Sequence, residues 1–146
     1  MADVWSKRRR SENMRRIRSH GNKATELRLV RIFKEHRITG WRRGLLLFGR
    51  PDFVFRAKHV CIFVDGCFWH GCPMCYQRPG SHRAYWDAKV LRNQRRDLLV
   101  ARELRRAGWR VMRIWEHELA EKRRGRLMRR LLSVLRAESP EYSRAT

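Results

Sequence analysis

The 146 residues are the size of one domain, and a hydrophobic share of 42% is enough for one core rather than two. Lys and Arg number 36 against 14 Asp and Glu, and the resulting net charge of +22 makes nucleic acid the expected partner. An anionic membrane is the weaker alternative: no apolar run approaches the roughly 18 residues of a spanning helix, and residues 1–18 are charged with no apolar signal core, so no membrane and a cytoplasmic, nucleoid-associated protein are expected.

Taken in chain order, residues 1–20 form a basic arm in which only Met14 and Ile17 offer an apolar face. Gly21 and Asn22 break it, and Asn22 can cap the helix expected next. Over residues 23–37, Leu27, Val30 and Phe33 recur at helical spacing. Residues 41–48 read as a strand closed by Gly49 and Pro51, and residues 52–55 and 60–64 as two more, paired as a hairpin around 56–59. Residues 66–82 are irregular. A long helix over 83–106 carries Trp86, Val90, Leu98, Ala101 and Leu104, and Gly108 stops it. A fourth strand at 109–115 and a terminal helix at 126–136, with Met128, Leu131 and Leu135 inward, complete one α/β domain with a mixed sheet flanked by helices. The division is thus an arm at 1–20, a domain at 21–137 and a tail at 138–146.

Cys67, Cys72 and Cys75 form C-x4-C-x2-C in a Pro/Gly loop. In a chain with no secretory signal such thiols select zinc rather than disulfides, and zinc wants four ligands. Cys61, His70, His82 and His117 are the candidates for the fourth. Cys61 suits a small core position in its strand, and the spacing does not choose among the rest. A site closed by thiolates and an imidazole is structural, holding a loop with too few apolar residues to order itself.

Asp52 follows a proline at the start of a strand, where a carboxylate can hold the Mg2+ that phosphodiester cleavage uses. A hairpin brings it beside Asp65, and Asp65-Gly66 leads to His70, so two acids and an imidazole form a candidate hydrolytic site. Glu26, on the first helix, reads by itself as a solvated residue. Phe68 and Trp69 are adjacent aromatics in a polar loop. Such residues can fill a core, but exposed on a basic surface they stack on bases or wedge a duplex open, and Trp86 can join them. Lys89, Arg92 and Arg96 share the long helix and supply phosphate contacts.

Several blocks together resemble the very-short-patch repair mismatch endonucleases. They are Arg10-Ser11 with Asn13-Met14-Arg15, then Gly49-Arg50-Pro51-Asp52-Phe53, then Asp65-Gly66-Cys67-Phe68-Trp69-His70-Gly71-Cys72-Pro73. Tyr85-Trp86 with Lys89, Asn93 and Arg96-Asp97, Gly108-Trp109-Arg110-Val111, and Trp115-Glu116 extend the match to about residue 135. The resemblance implies a restriction-endonuclease-like core with a structural zinc loop. It implies Mg2+-dependent nicking of double-stranded DNA on the 5′ side of the T in a T·G mismatch. Carried over by motif, Asp52 is the metal ligand, His70 the catalytic imidazole and Glu26 a supporting acid. Asp65 becomes a second metal ligand or a hydrogen-bond partner. Phe68, Trp69 and Trp86 match residues that intercalate from the major groove, and Met14 one that enters the minor groove; Lys89 and Asn93 join the DNA-binding set. The family's last zinc ligand comes just after the final strand's Trp-Glu, which points to His117. A monomer is expected, with mismatch-repair proteins or a DNA methyltransferase as possible assistants. The rivals are a non-catalytic zinc-containing DNA-binding module and an RNA-binding protein.

Overall fold

Helix α1 (Lys23–Glu35) turns Leu29, Ile32 and Phe33 inward and leaves Leu27 52% exposed. Its buried stripe is therefore shifted from the face marked by Leu27, Val30 and Phe33. The computed structural model describes residues 23–137. The basic arm at 1–20, with Met14, the Gly21-Asn22 break with its expected cap, and the tail at 138–146 lie outside the described residues.

Four strands come after it: β1 (Trp41–Arg42), β2 (Phe53–Phe55), β3 (Val60–Asp65) and, beyond helix α2 (Arg83–Arg106), β4 (Arg110–Trp115). They lie side by side in chain order, the first two pairings antiparallel and β3–β4 parallel. The parallel pair is joined by α2, as a parallel connection requires. Two short 3-10 turns (Glu116–Leu119 and Glu121–Arg123) lead into helix α3 (Arg124–Arg136). This is the small mixed-sheet α/β domain expected, with helices on both faces. Among the described residues, no helix is long and apolar enough to cross a membrane.

Alternation along the strands separates two cores. Phe53, Phe55, Val60, Ile62, Met112 and Ile114 meet α1 and α3, where Leu127, Met128 and Leu131 are buried. Phe33 sits at the centre of that core, 5.2 Å from Phe53 and 5.9 Å from Phe55, centroid to centroid. On the other face, Val54, Cys61 and Phe63 pack against Val100 and Leu104 of α2. Cys61 is fully buried there, as a small apolar core residue.

The expected strand at 41–48 shrinks to two residues. Leu45 and Leu47 do pack against the second core while Leu46 is 92% and Phe48 54% exposed, so the period of two is real. The backbone, however, turns left-handed at Gly44, Gly49 and Arg50. The three-residue β2 also gives a longer β1 nothing to pair with. Leu98 differs as well: it is 73% exposed, and the inward stripe of α2 is Val90, Val100, Ala101 and Leu104.

Candidate functional site

The Gly49-Arg50-Pro51-Asp52 turn is shaped by close packing. A Cβ on Gly49 would lie 2.3 Å from Val100 Cγ1, and Gly49 has φ +76°, so only glycine lets the turn reach α2. The turn delivers Asp52 to the edge of β2, where its N–H donates to Ile62 O at 3.0 Å and its Oδ2 accepts the Val64 N–H at 2.8 Å. Asp52 is thereby pinned across the hairpin to the C-terminal end of β3. Glu26, buried at 9% exposure, lies within hydrogen-bonding reach of it and forms an ion pair with Arg43. The solvated reading of Glu26 is thus overturned, because the shifted inward face of α1 carries it. Burial is the main reason the Asp52 carboxyl is pushed up to about 7. The Val64 N–H opposes this, and the Glu26 and Asp65 acids add to it. A buried carboxyl that resists ionising, with the Glu26 oxygens beside it, fits a divalent cation held between two hard-oxygen donors.

At its C-terminal end, β3 delivers Asp65, which faces α2 and is 3% exposed. The chain then coils, with His70 N–H bonded to Gly66 O at 3.2 Å and Cys72 N–H to Cys67 O at 2.9 Å. A Cβ on Gly71, at φ +61°, would meet Val90 Cγ1 at 2.8 Å, so this turn too is glycine-dependent contact with α2. The contact sets His70 against the helix. His70 Nδ1 lies 2.5 Å from Asp97 Oδ2, and Asp65 Oδ1 is 3.9 Å from its Nε2. Nε2 is buried with no hydrogen-bond partner among the described residues. Burial disfavours the imidazolium. The Asp97 hydrogen bond and the Asp65 and Asp97 charges outweigh it, so the His70 pKa is raised despite the opposing Arg113. These groups line one side of a cavity of about 620 Å³ that continues along α2.

The expected trio of Asp52, Asp65 and His70 therefore divides. Asp52 joins Glu26, whereas Asp65 and His70 join Asp97 and Arg113. The sequence by itself gives Asp97 and Arg113 no role. Asp97 sits on the inward stripe of α2 three residues before Val100, hidden by the neighbouring Leu98, which marks a different face.

Cys67, Cys72, Cys75 and His117 come together, one ligand atom of each within 4.8 Å of the others. His117 Nδ1 is 3.4 Å from both Cys67 Sγ and Cys72 Sγ. Tetrahedral zinc with thiolate and imidazole bonds near 2.3 and 2.0 Å spaces its ligand atoms about 3.5–3.8 Å apart, so the donor set fits. Burial, with smaller contributions from Cys72 and Cys75, pushes the Cys67 thiol up to about 12 against the hydrogen bond from His117. A cation is what would hold such thiolates. His82 stands apart, as the residue preceding α2. Cys67 and Cys72 bracket Phe68, Trp69 and His70, so a cation held by this cluster would also fix the stretch that carries the rings and His70.

The aromatic residues pack on one another instead of standing free. Phe68 lies 5.4 Å from both Trp69 and Trp86, and Tyr85 5.1 Å from Trp86. Trp69, expected on the surface, is 6% exposed beneath Phe68 and Trp86, although its indole N–H finds no partner among the described residues. Lys89 Nζ sits 4.8 Å over the Trp69 ring, and Asn93 donates to the Trp69 carbonyl at 2.8 Å. Both DNA-binding candidates of α2 thus brace the aromatic loop.

A family model described as DNA mismatch endonuclease Vsr matches residues 2–77. Among relatives, a type II nicking enzyme, V.NaeI, of Lentzea aerocolonigenes is 42% identical over 117 residues, covering 75% of this chain and 68% of that protein. The DNA mismatch endonuclease Vsr of Escherichia coli is 38% identical over 118 residues, 80% of this chain and 74% of that protein. A type II nicking enzyme, V.XorIIP, of Xanthomonas oryzae is 36% identical over 138 residues, 92% of this chain and 98% of that protein.

Proposed function

The chain belongs to the Vsr family of DNA mismatch endonucleases, and from that premise we propose that it nicks one strand of double-stranded DNA, 5′ to the T of a T·G mismatch, with Mg2+ as cofactor. The membership makes it a DNA endonuclease with a restriction-endonuclease-like core, and sets aside both the non-catalytic module and the RNA-binding reading. The observation that carries the proposed chemistry is the His70–Asp97 pair, with Nδ1 held at 2.5 Å and Nε2 buried and unpartnered among the described residues.

In this reading Asp52 and Glu26 hold Mg2+, which supplies charge neutralisation at the phosphate and lowers the pKa of water. Asp97 accepts from His70 Nδ1, fixes the tautomer and leaves Nε2 as the atom that exchanges a proton with the reacting oxygens. The Asp65 and Asp97 charges keep an imidazolium favourable once formed. Phe68 and Trp86, both half-buried, present the leading rings to an unstacked mismatch, with Trp69 behind them. Lys89 brings a positive charge to that edge, and Asn93 keeps the loop in register. The basic arm and the Arg-rich surface add phosphate contacts, and Met14 enters the minor groove. Cys67, Cys72, Cys75 and His117 hold a structural zinc.

The test is nicking of a T·G duplex with and without Mg2+, and with His70→Ala. A Mg2+-dependent single-strand break that falls about a hundredfold or more in His70→Ala supports the reading. Undiminished turnover in His70→Ala overturns the assignment.

A further inference from the structure

Arg113 lies on β4 opposite Phe63 of β3, and its guanidinium stacks over the Phe63 ring at 4.4 Å. From there it reaches both acids beside His70. Nη1 donates to Asp65 Oδ1 at 2.9 Å and stands 3.5 Å from Asp97 Oδ1, while Nη2 donates to the Asp97 backbone carbonyl at 3.3 Å. The work of Asp97 is divided between its two oxygens: Oδ2 holds His70 Nδ1, and Oδ1 faces the guanidinium.

We propose that Arg113 is a positioning residue for nicking: it fixes Asp97 behind His70 and holds Asp65 away from His70 Nε2. The proposal rests on the reading of His70 as the proton-transferring group. It also gives Asp65 a role, as the anchor of Arg113 instead of a second metal ligand.

Three observations support it. Asp65, His70 and Asp97 lie close enough to share a cation, with ligand atoms within 4.8 Å of one another. Arg113 already supplies a cation to both acids. The contacts need a planar fork with donors in two directions, which arginine has and lysine lacks. Finally, Asp65 Oδ1 is only 3.9 Å from His70 Nε2. A small rotation would let it capture that nitrogen, and the contact with Arg113 keeps it turned aside.

Arg113→Met retains an apolar stem over Phe63 and removes the fork. It is expected to lower kcat about a hundredfold, the scale of a catalytic group displaced by about an ångström, with affinity for the mismatched duplex unchanged within about twofold. Arg113→Lys should remain more than about tenfold impaired although its charge is kept. Adding Asp65→Asn to Arg113→Met removes the charged competitor for Nε2 and should restore about tenfold of the loss. A residue needed only for folding would show none of this rescue. In 15N-edited NMR of the uncomplexed protein, the His70 Nδ1–H signal should be sharp in wild type and shifted or broadened in Arg113→Met. Retention of kcat within about threefold in Arg113→Met, or an equal loss of binding and kcat, overturns the proposal. If wild type itself fails to nick T·G duplex, the functional reading fails; an unchanged His70 signal in Arg113→Met would then refute the positioning role separately.

Discussion

The cysteine–histidine cluster and the acidic groups around it meet at one short loop, which carries both Cys67 and His70, and they are built in opposite ways. Cys67, Cys72 and Cys75 are close in sequence, and one distant residue, His117, completes the set. The two acidic groups draw each member from a different element: Glu26 from α1 beside Asp52 from the β2 edge, and Asp65 from β3 beside Asp97 from α2 and Arg113 from β4. On the proposed reading the loop takes much of its order from a bound zinc, whereas the acidic groups are held by the two cores beneath them. Damage to the first should therefore appear as lost stability, and damage to the second as lost turnover with the fold intact.

The largest effect expected is that of Asp52→Asn. Nicking should fall by more than about a thousandfold, since the carboxylate that holds the cation is gone, while duplex affinity is preserved. Stability should move the other way. A carboxyl whose folded pKa is raised from 3.8 to about 7 weakens the fold above the unfolded value, and the penalty grows until pH passes about 7. Without metal at pH 8, Asp52→Asn should accordingly melt no lower than wild type, which thermal denaturation will show. The same shift predicts the pH profile. Below about 7 the Asp52 carboxyl is protonated and cannot ligate. At subsaturating Mg2+ the rate should rise by about tenfold per pH unit toward that value and then level. Because proton and cation compete, more Mg2+ should move the acid limb to lower pH. An acid limb that ignores Mg2+ would detach Asp52 from the metal.

Next in size is the loss of the thiolate cluster. Freshly purified protein should contain about one equivalent of zinc by metal analysis. Chelation or Cys72→Ala should lower the melting temperature markedly, because structural zinc is worth roughly 10 kcal/mol, comparable with the whole stability of a domain. His117→Ala should share this phenotype and His82→Ala should not. Equal behaviour of the two would break the contrast between the regions.

The aromatic cluster lies between these cases, and the effects there should be smaller. Phe68→Ala or Trp86→Ala should weaken binding to a mismatch by about tenfold, the order of one lost base stack, and affect matched duplex much less. Trp69→Ala should do the same and also lower the melting temperature, since that ring is buried. A drop in melting temperature with equal loss on both duplexes would make the rings core residues only.

Much of the fold is legible in the sequence, because strand and helix periods run nearly unbroken through residues 53–65 and 83–136. The loop cysteines are legible by spacing alone. Asp52 and Asp65 are legible too, whereas Glu26 and Asp97 are not by helix period alone, and both failures have one cause. In α1 Leu27 marks a face that leaves Glu26 outside, and in α2 Leu98 does the same to Asp97. In the structure each leucine is exposed and each adjacent acid is turned toward the site. An apolar stripe read by size puts the leucine inward, whereas here the stripe admits an acid because another charged group waits for it: Arg43 for Glu26, and His70 with Arg113 for Asp97. Arg113 is hidden for a similar reason, since an arginine within a strand gives no sign of its partners. Residues 43–48 mislead in the opposite sense, having a strand's alternation without a neighbour to pair with.

The central claim is strand- and mismatch-specific nicking, and one measurement addresses it directly. Three duplexes of one sequence, carrying T·G, A·T or G·C at a single position and labelled on either strand, are incubated with the protein and Mg2+. The expected result is one product, a break on the 5′ side of the mismatched T, with the G strand and both matched duplexes uncut. Equal cleavage of the matched duplexes, or of both strands, would contradict it.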